Sequence, residues 1–158
     1  MSAAGCGMDK EDWRLLLFLL LSHHRPEKLH RTIRINFRGR NVYICARCTG
    51  VYSGILSVFI AWFLGLNFPT WLYLPLYSIL PLPAVVDWIT QSCKLRESRN
   101  PLRVSTGYLL GISEGLFFLM LVRGMFYLFL WAFAILGAYI LSIYVIAWKT
   151  SFLDSYLD

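Results

Sequence analysis

Three sets of residues in this chain have types and spacings that carry chemistry. The first is Cys45-Ala46-Arg47-Cys48. A C-x-x-C spacing brings two sulfurs within reach of one ion or of each other. Zinc takes four ligands, usually Cys and His. His23 and His24 are the nearest further candidates, with His30, Asp87 and Cys93 behind them. A zinc site, or an iron one, drawing on His23, His24, Cys45 and Cys48 is therefore one expectation. A reversible Cys45–Cys48 disulfide is its competitor, because a cation between two thiols favours thiolate chemistry. A reducing cytoplasm opposes a stable disulfide there. The third reading is that both cysteines simply pack.

The second set is Asp87, Gln91, Arg96, Glu97, Ser98, Asn100 and Arg103. Asp87 and Gln91 are four apart and share one face of a continuing helix. Arginines beside Ser and Asn suit a phosphate or carboxylate. Arg96, Asn100 and Arg103 are the candidates for holding such an anion. Asp87, Gln91 and Glu97 are the candidates for acting on it. The competing reading is a solvated loop touching lipid headgroups. The third set is Glu114 alone, within a long stretch free of other charges. A carboxyl there is costly and is usually functional or paired. It is expected either to relay a proton or ion, or to sit neutral and hydrogen-bond Tyr52, Ser57 or Tyr139.

The elements that must position these residues are apolar. Of 158 residues, 58% are hydrophobic and only 15% charged, which is unusual for a soluble domain. The charges are also segregated. A net charge of +6 could point to nucleic acid, but the basic residues crowd beside apolar runs. That arrangement fits anchoring at a bilayer and contact with anionic lipid, not nucleic acid. Four apolar runs are expected as spans, at about 50–68, 71–88, 104–122 and 125–148. Pro75, Pro81 and Pro83 should kink the second. Residues 13–22 are too short to span and are expected as an interfacial helix. Residues 1–12 read as a tail, with no cleavable signal. Thr32 to Phe37 alternates, Arg38 to Asn41 reads as a turn, and Val42 to Ile44 follows, so a small hairpin is expected within the polar segment 23–47. Segment 89–103 is expected as a polar loop.

Four spans place both basic segments and both termini on one side. Fourteen of the fifteen Lys and Arg then lie there, with Arg123 opposite. The positive-inside rule makes that side cytoplasmic, in a multi-pass protein of the cell membrane.

Thr49-Gly50-Val51-Tyr52-Ser53-Gly54 echoes Thr106-Gly107-Tyr108-Leu109-Leu110-Gly111 as T-G-x-x-x-G. Each opens an odd-numbered span, as two parallel repeats would. Gly50 and Gly54, and Gly107, Gly111 and Gly115, make smooth helix faces. They are expected to pack spans one and three together. Contacts within a homo-oligomer are the other use of such faces.

His23-His24 with Pro26-Glu27, the run Cys45-Ala46-Arg47-Cys48-Thr49-Gly50-Val51-Tyr52-Ser53-Gly54, then Asp87, Gln91 and Arg96-Glu97-Ser98-Arg99-Asn100 with Arg103, Thr106 and Gly107 have a precedent. Together they resemble a group of small predicted membrane proteins from archaea and bacteria, grouped as a domain of unknown function. The resemblance covers roughly residues 22–115. It departs from the group's pattern at Arg99, where a small residue is usual. It implies that these positions form one site, and it implies no reaction.

The fold expected is all-α: an integral membrane four-helix bundle with a short interfacial N-terminal helix and a small hairpin at the cytoplasmic face. Four functions are compatible with it. One is a membrane-embedded enzyme acting on an anionic lipid headgroup or a small anionic substrate, with a metal. The second is a small transporter or channel with Glu114 in the path. The third is a structural module stapled by its metal. The fourth is a thiol oxidoreductase. No nucleotide-binding glycine loop or H-E-x-x-H motif is present.

Overall fold

The computed structural model describes residues 32–37, 40–93 and 95–149. The expected interfacial helix at 13–22, together with His23 and His24, lies outside them. The chain divides into two compact units, Met1–Ala46 and Arg47–Asp158.

The first unit contributes an antiparallel pair, β1 (Thr32–Phe37) and β2 (Arg40–Cys45). Its register runs from Thr32↔Cys45 to Phe37↔Arg40. The pairs Ile33↔Ile44 and Ile35↔Val42 place β-branched residues directly opposite each other, the pairing that stabilises two-stranded sheets. Asn36 pairs with Asn41, so the connection is shorter than the four-residue turn expected from the sequence.

The second unit is helical: α1 (Ala46–Phe63), α2 (Tyr73–Ile79), α3 (Leu82–Ser92), α4 (Asn100–Val122) and α5 (Phe126–Lys149). Among the described residues, four stretches are long and apolar enough to cross a membrane: Ala46–Phe63, Thr70–Ser92, Asn100–Val122 and Phe126–Lys149. The all-α four-span architecture is therefore as the apolar runs predict. The boundaries differ. The first helix starts four residues before Gly50, which puts Arg47 and Cys48 in its first turn. The third starts at Asn100, with Pro101 in its first turn, where a missing N–H removes no hydrogen bond. Arg103 is therefore helical rather than part of a loop.

The second span is built of three pieces: a 3-10 turn at Thr70–Leu72, then α2, then α3. Pro81 and Pro83 lack the N–H groups that would carry the α ladder through. The amides of Ala84 and Val85 both turn to the Pro81 carbonyl instead.

Two glycines end their helices. Gly65 and Gly124 have φ of 80° and 67°. In each case the next amide reaches back over the last turn, Leu66 to Ala61 and Met125 to Met120. This is the Schellman closure, which wants a left-handed residue.

Helix α4 is the centre of this unit. Of its most apolar window 44% is buried, against 6% for α5. The core joins Val58 of α1, Tyr73 and Tyr77 of α2, Leu116, Leu119 and Met120 of α4, and Ala132 of α5. Tyr77 stacks on Phe117 at 5.7 Å. Below the core, Arg123 donates to the Tyr73 hydroxyl at 2.8 Å.

Helix α1 lies against α4 through glycine. A Cβ on Gly50 would overlap the Val104 carbonyl oxygen, and one on Gly107 would overlap that of Arg47. Likewise Gly54 faces Tyr108 and Gly111 faces Val51. Residue i of α1 and residue i+57 of α4 thus exchange places across the seam. The two T-G-x-x-x-G runs meet as equivalents about a local twofold.

Candidate functional site

Asp87 holds together the polar end of the helical unit. It lies in the penultimate turn of α3, only 1% exposed. Its Oδ2 accepts from Arg47 at 2.6 Å and from the Gln91 amide at 2.8 Å. Its Oδ1 accepts from Arg96 at 3.2 Å. A buried carboxylate is tolerable only with such company.

Each partner arrives from a different piece of chain. Arg47 comes from the first turn of α1, beside the glycine seam that holds this turn against α4. Gln91 is one turn beyond Asp87 on the same face of α3 and also donates to its carbonyl at 2.9 Å. Arg96 reaches back from the segment after α3, and its Nε donates to Thr90 Oγ1 at 3.2 Å. Arg103, in the first turn of α4 and 5% exposed, donates to Gln91 Oε1 at 2.9 Å. Gln91 thereby bridges Asp87 and Arg103. One network ties α1, α3, α4 and the segment between the last two.

Of the residues singled out in the sequence, Asp87, Gln91, Arg96 and Arg103 come together here. Asn100 sits in the first turn of α4. Glu97 is exposed, and no hydrogen bond or ion pair among the described residues reaches it. Ser98 is buried, and its hydroxyl has no hydrogen-bond partner among those residues. Cys45 closes β2 and Cys48 lies in the first turn of α1. Cys93 is exposed at the end of α3. Among the described residues, no three His, Cys, Asp or Glu side chains gather as a metal would need.

Arg47 is the member of this network that the sequence pattern did not single out. It was visible as an arginine preceding a glycine-faced span. What hid its role was the helix boundary: placed in a loop before Gly50, it has no fixed direction. Placed in the first turn of α1, it reaches Asp87 on α3.

Glu114 lies apart, at mid-length of α4 and half-buried. The partners foreseen for it are engaged elsewhere. Tyr139 donates to the Ser78 carbonyl, and Ser57 accepts from Tyr108 at 3.2 Å. Tyr52 is 69% exposed. None of the hydrogen bonds or ion pairs among the described residues involves the Glu114 carboxyl. It borders a cavity of about 250 Å³ whose other walls are mostly apolar.

Glu114→Met should therefore raise stability in detergent, by about 1–3 kcal/mol, since it withdraws an unpartnered polar group from an apolar setting. Thermal unfolding of the purified variant tests this. A fall in the unfolding temperature would mean that the carboxyl is held by a strong contact.

The comparisons agree with this architecture. Residues 23–117 match the family described as "Predicted membrane protein (DUF2085)". An uncharacterized protein of Methanothermobacter thermautotrophicus is 37% identical over 96 residues, which is 61% of this chain and 82% of the relative. An uncharacterized protein of Methanocaldococcus jannaschii is 31% identical over 116 residues, 70% of this chain and 69% of the relative. No solved structure matches. The matched segment takes in the hairpin, the glycine seam and every member of the Asp87 network, and with its four apolar spans this multi-pass membrane chain belongs to that family of predicted membrane proteins.

Proposed function

We propose that the Asp87 end of the bundle binds a phosphate-bearing anion at the cytoplasmic membrane surface, either a lipid headgroup or a small soluble phosphate. The observation that carries this reading is that two guanidiniums, Arg47 and Arg96, share one carboxylate. Each guanidinium offers five N–H donors. Arg47 directs one to Asp87, and its buried Nε has no acceptor among the described residues. Arg96 is 45% exposed, and its Nε and one terminal nitrogen are engaged. Charge and donors are left over at a place where the side chains are already held in position. Asp87, Gln91 and Thr90 act as positioning residues that fix the guanidiniums before the anion arrives, and such preorganisation lowers the entropic cost of binding.

The orientation follows from charge. Arg47, Arg96 and Arg103 belong to the basic side of the bundle, which the positive-inside rule puts in the cytoplasm. An enzyme acting on the bound phosphate is the fuller form of this proposal, with Glu97 as its acid–base candidate. Metal content is a separate measurement within it. Zinc or iron retained by the wild type and lost from Cys45→Ser/Cys48→Ser would add a metal to the chemistry.

Titration of the detergent-purified protein with inorganic phosphate, followed by calorimetry at low salt, tests the core of the reading. Arg96→Gln should weaken binding by about tenfold, the loss of one charge-assisted contact. Raising the salt should weaken the wild type more than the variant. Equal, salt-independent affinities would sink the proposal.

A further inference from the structure

Two apolar clefts run along helix α3, one on each side, and each has one of the Asp87 arginines at its polar end. The first is the cavity of about 250 Å³. Val85 and Trp88 of α3, Leu110 of α4, and Ile140 and Ile143 of α5 wall it, Glu114 is the carboxyl on its otherwise mostly apolar lining, and Arg47 borders it. The second, about 470 Å³, is open to the outside. Leu82, Pro83 and Val86 of α3 and Leu102 of α4 wall it, with Asp87, Arg96 and Thr106 at its polar end. The arrangement follows from the period of α3. Ala84 and Asp87 face the bundle and are buried. Val85 and Trp88 then fall on one flank, and Leu82 and Val86 on the other.

The two clefts thus diverge from one point. That point is the pair of guanidiniums that share Asp87, 2.6 and 3.2 Å from its two oxygens. Building on the phosphate reading above, we infer that the bound anion is a two-chain anionic phospholipid straddling α3. Its phosphate lies on Arg47 and Arg96, and one hydrocarbon chain fills each cleft. A soluble phosphate would leave both apolar clefts unused, and a single-chain amphiphile would leave one. A zwitterionic headgroup would bring its own cation against the arginines. The buried Asp87 does not repel the phosphate, because its charge is already matched by two cations and the Gln91 amide. In a bilayer, chain burial brings no hydrophobic gain, so the clefts contribute through packing and fixed geometry.

The test is native mass spectrometry of the full chain in detergent, titrated with dioleoyl-phosphatidylglycerol, its single-chain lyso form and dioleoyl-phosphatidylcholine, with inorganic phosphate as competitor. The two-chain phosphatidylglycerol should bind about tenfold tighter than either the lyso form or the phosphatidylcholine. Arg96→Gln should abolish the preference for the anionic head. Val86→Trp, on an exposed flank where folding is undisturbed, should bring the two-chain lipid toward lyso affinity while keeping the head preference. Val85→Trp should do the same from the other cleft. Equal binding of the two-chain and lyso forms, with the head preference intact, would overturn the straddle and leave the phosphate site standing. Inorganic phosphate binding as tightly as the two-chain lipid would do likewise, identifying a soluble ligand. Loss of all anion preference would overturn the inference together with the phosphate reading beneath it.

Discussion

Asp87→Ala should be among the most damaging single substitutions in this chain. The carboxylate is 1% exposed and accepts from Arg47, Arg96 and Gln91. Removing one member of a buried ion pair typically costs about 3–5 kcal/mol, because the charge left behind is uncompensated. Here the arginines are 28% and 45% exposed, so part of their charge returns to water. The expected loss is therefore near the lower figure, about 3 kcal/mol. Asp87→Asn keeps an acceptor for one guanidinium and should lose roughly half as much. Thermal unfolding in detergent, read by circular dichroism, measures both. Adding Arg47→Met to Asp87→Ala should recover part of the loss, since it removes the stranded charge and keeps an apolar stem. A single-mutant loss within about 0.5 kcal/mol would reduce the network to an ordinary surface pair.

The same substitution should also abolish phosphate binding, although Asp87 itself carries the wrong charge to bind phosphate. Without it, Arg47 and Arg96 lose the group that holds them together. Their mutual repulsion would then separate them. Stability and binding thus depend on one residue, whereas Arg96→Gln should affect binding far more than folding. That contrast separates a positioning residue from a ligand-contacting one.

The fold was legible because bilayer residence leaves few choices. Long runs with hardly a charge must be helical to satisfy their backbone groups. Segregation of the charges placed the polar residues at one end. Asp87 and Gln91 were legible as a pair because four residues is one helical turn. Arg103 was visible as a candidate, but its partner was not, since the boundary of α4 had to move to Asn100 before it could face Gln91. Glu114 shows the limit of pattern reading. A lone carboxyl in an apolar run announces itself, yet its partner depends on helix rotation. Tyr139 and Ser57 each found another acceptor or donor first. The clefts beside α3 were invisible from sequence, because their walls come from several helices whose spacing only packing defines.

The glycine seam gives the second large effect. Gly54→Val or Gly111→Val should force α1 and α4 apart. A Cβ at Gly54 would lie 2.7 Å from the Ile112 amide nitrogen, and one at Gly111 would lie 2.8 Å from the Val51 carbonyl carbon. Those are backbone atoms, so no side chain can move aside. Overpacking of this kind costs about 1–3 kcal/mol, and a rigid backbone neighbour puts the upper end in view. Gly137 is the control, because a Cβ there meets nothing within 4 Å. In the middle of α5, Gly137→Ala should leave stability unchanged or raise it by up to about 1 kcal/mol through helix propensity. The local twofold sharpens the test. Gly50 and Gly107 exchange under it, as do Gly54 and Gly111, so paired substitutions should lose similar amounts. Gly50→Ala and Gly107→Ala should also disturb the Asp87 network, since Gly107 faces Arg47 itself. Their phosphate affinity should fall with their stability, whereas Gly115→Ala, which meets the Val58 side chain further down the seam, should lose stability alone. Equal binding in all three would mean that the first turn of α1 holds Arg47 in place without help from the seam.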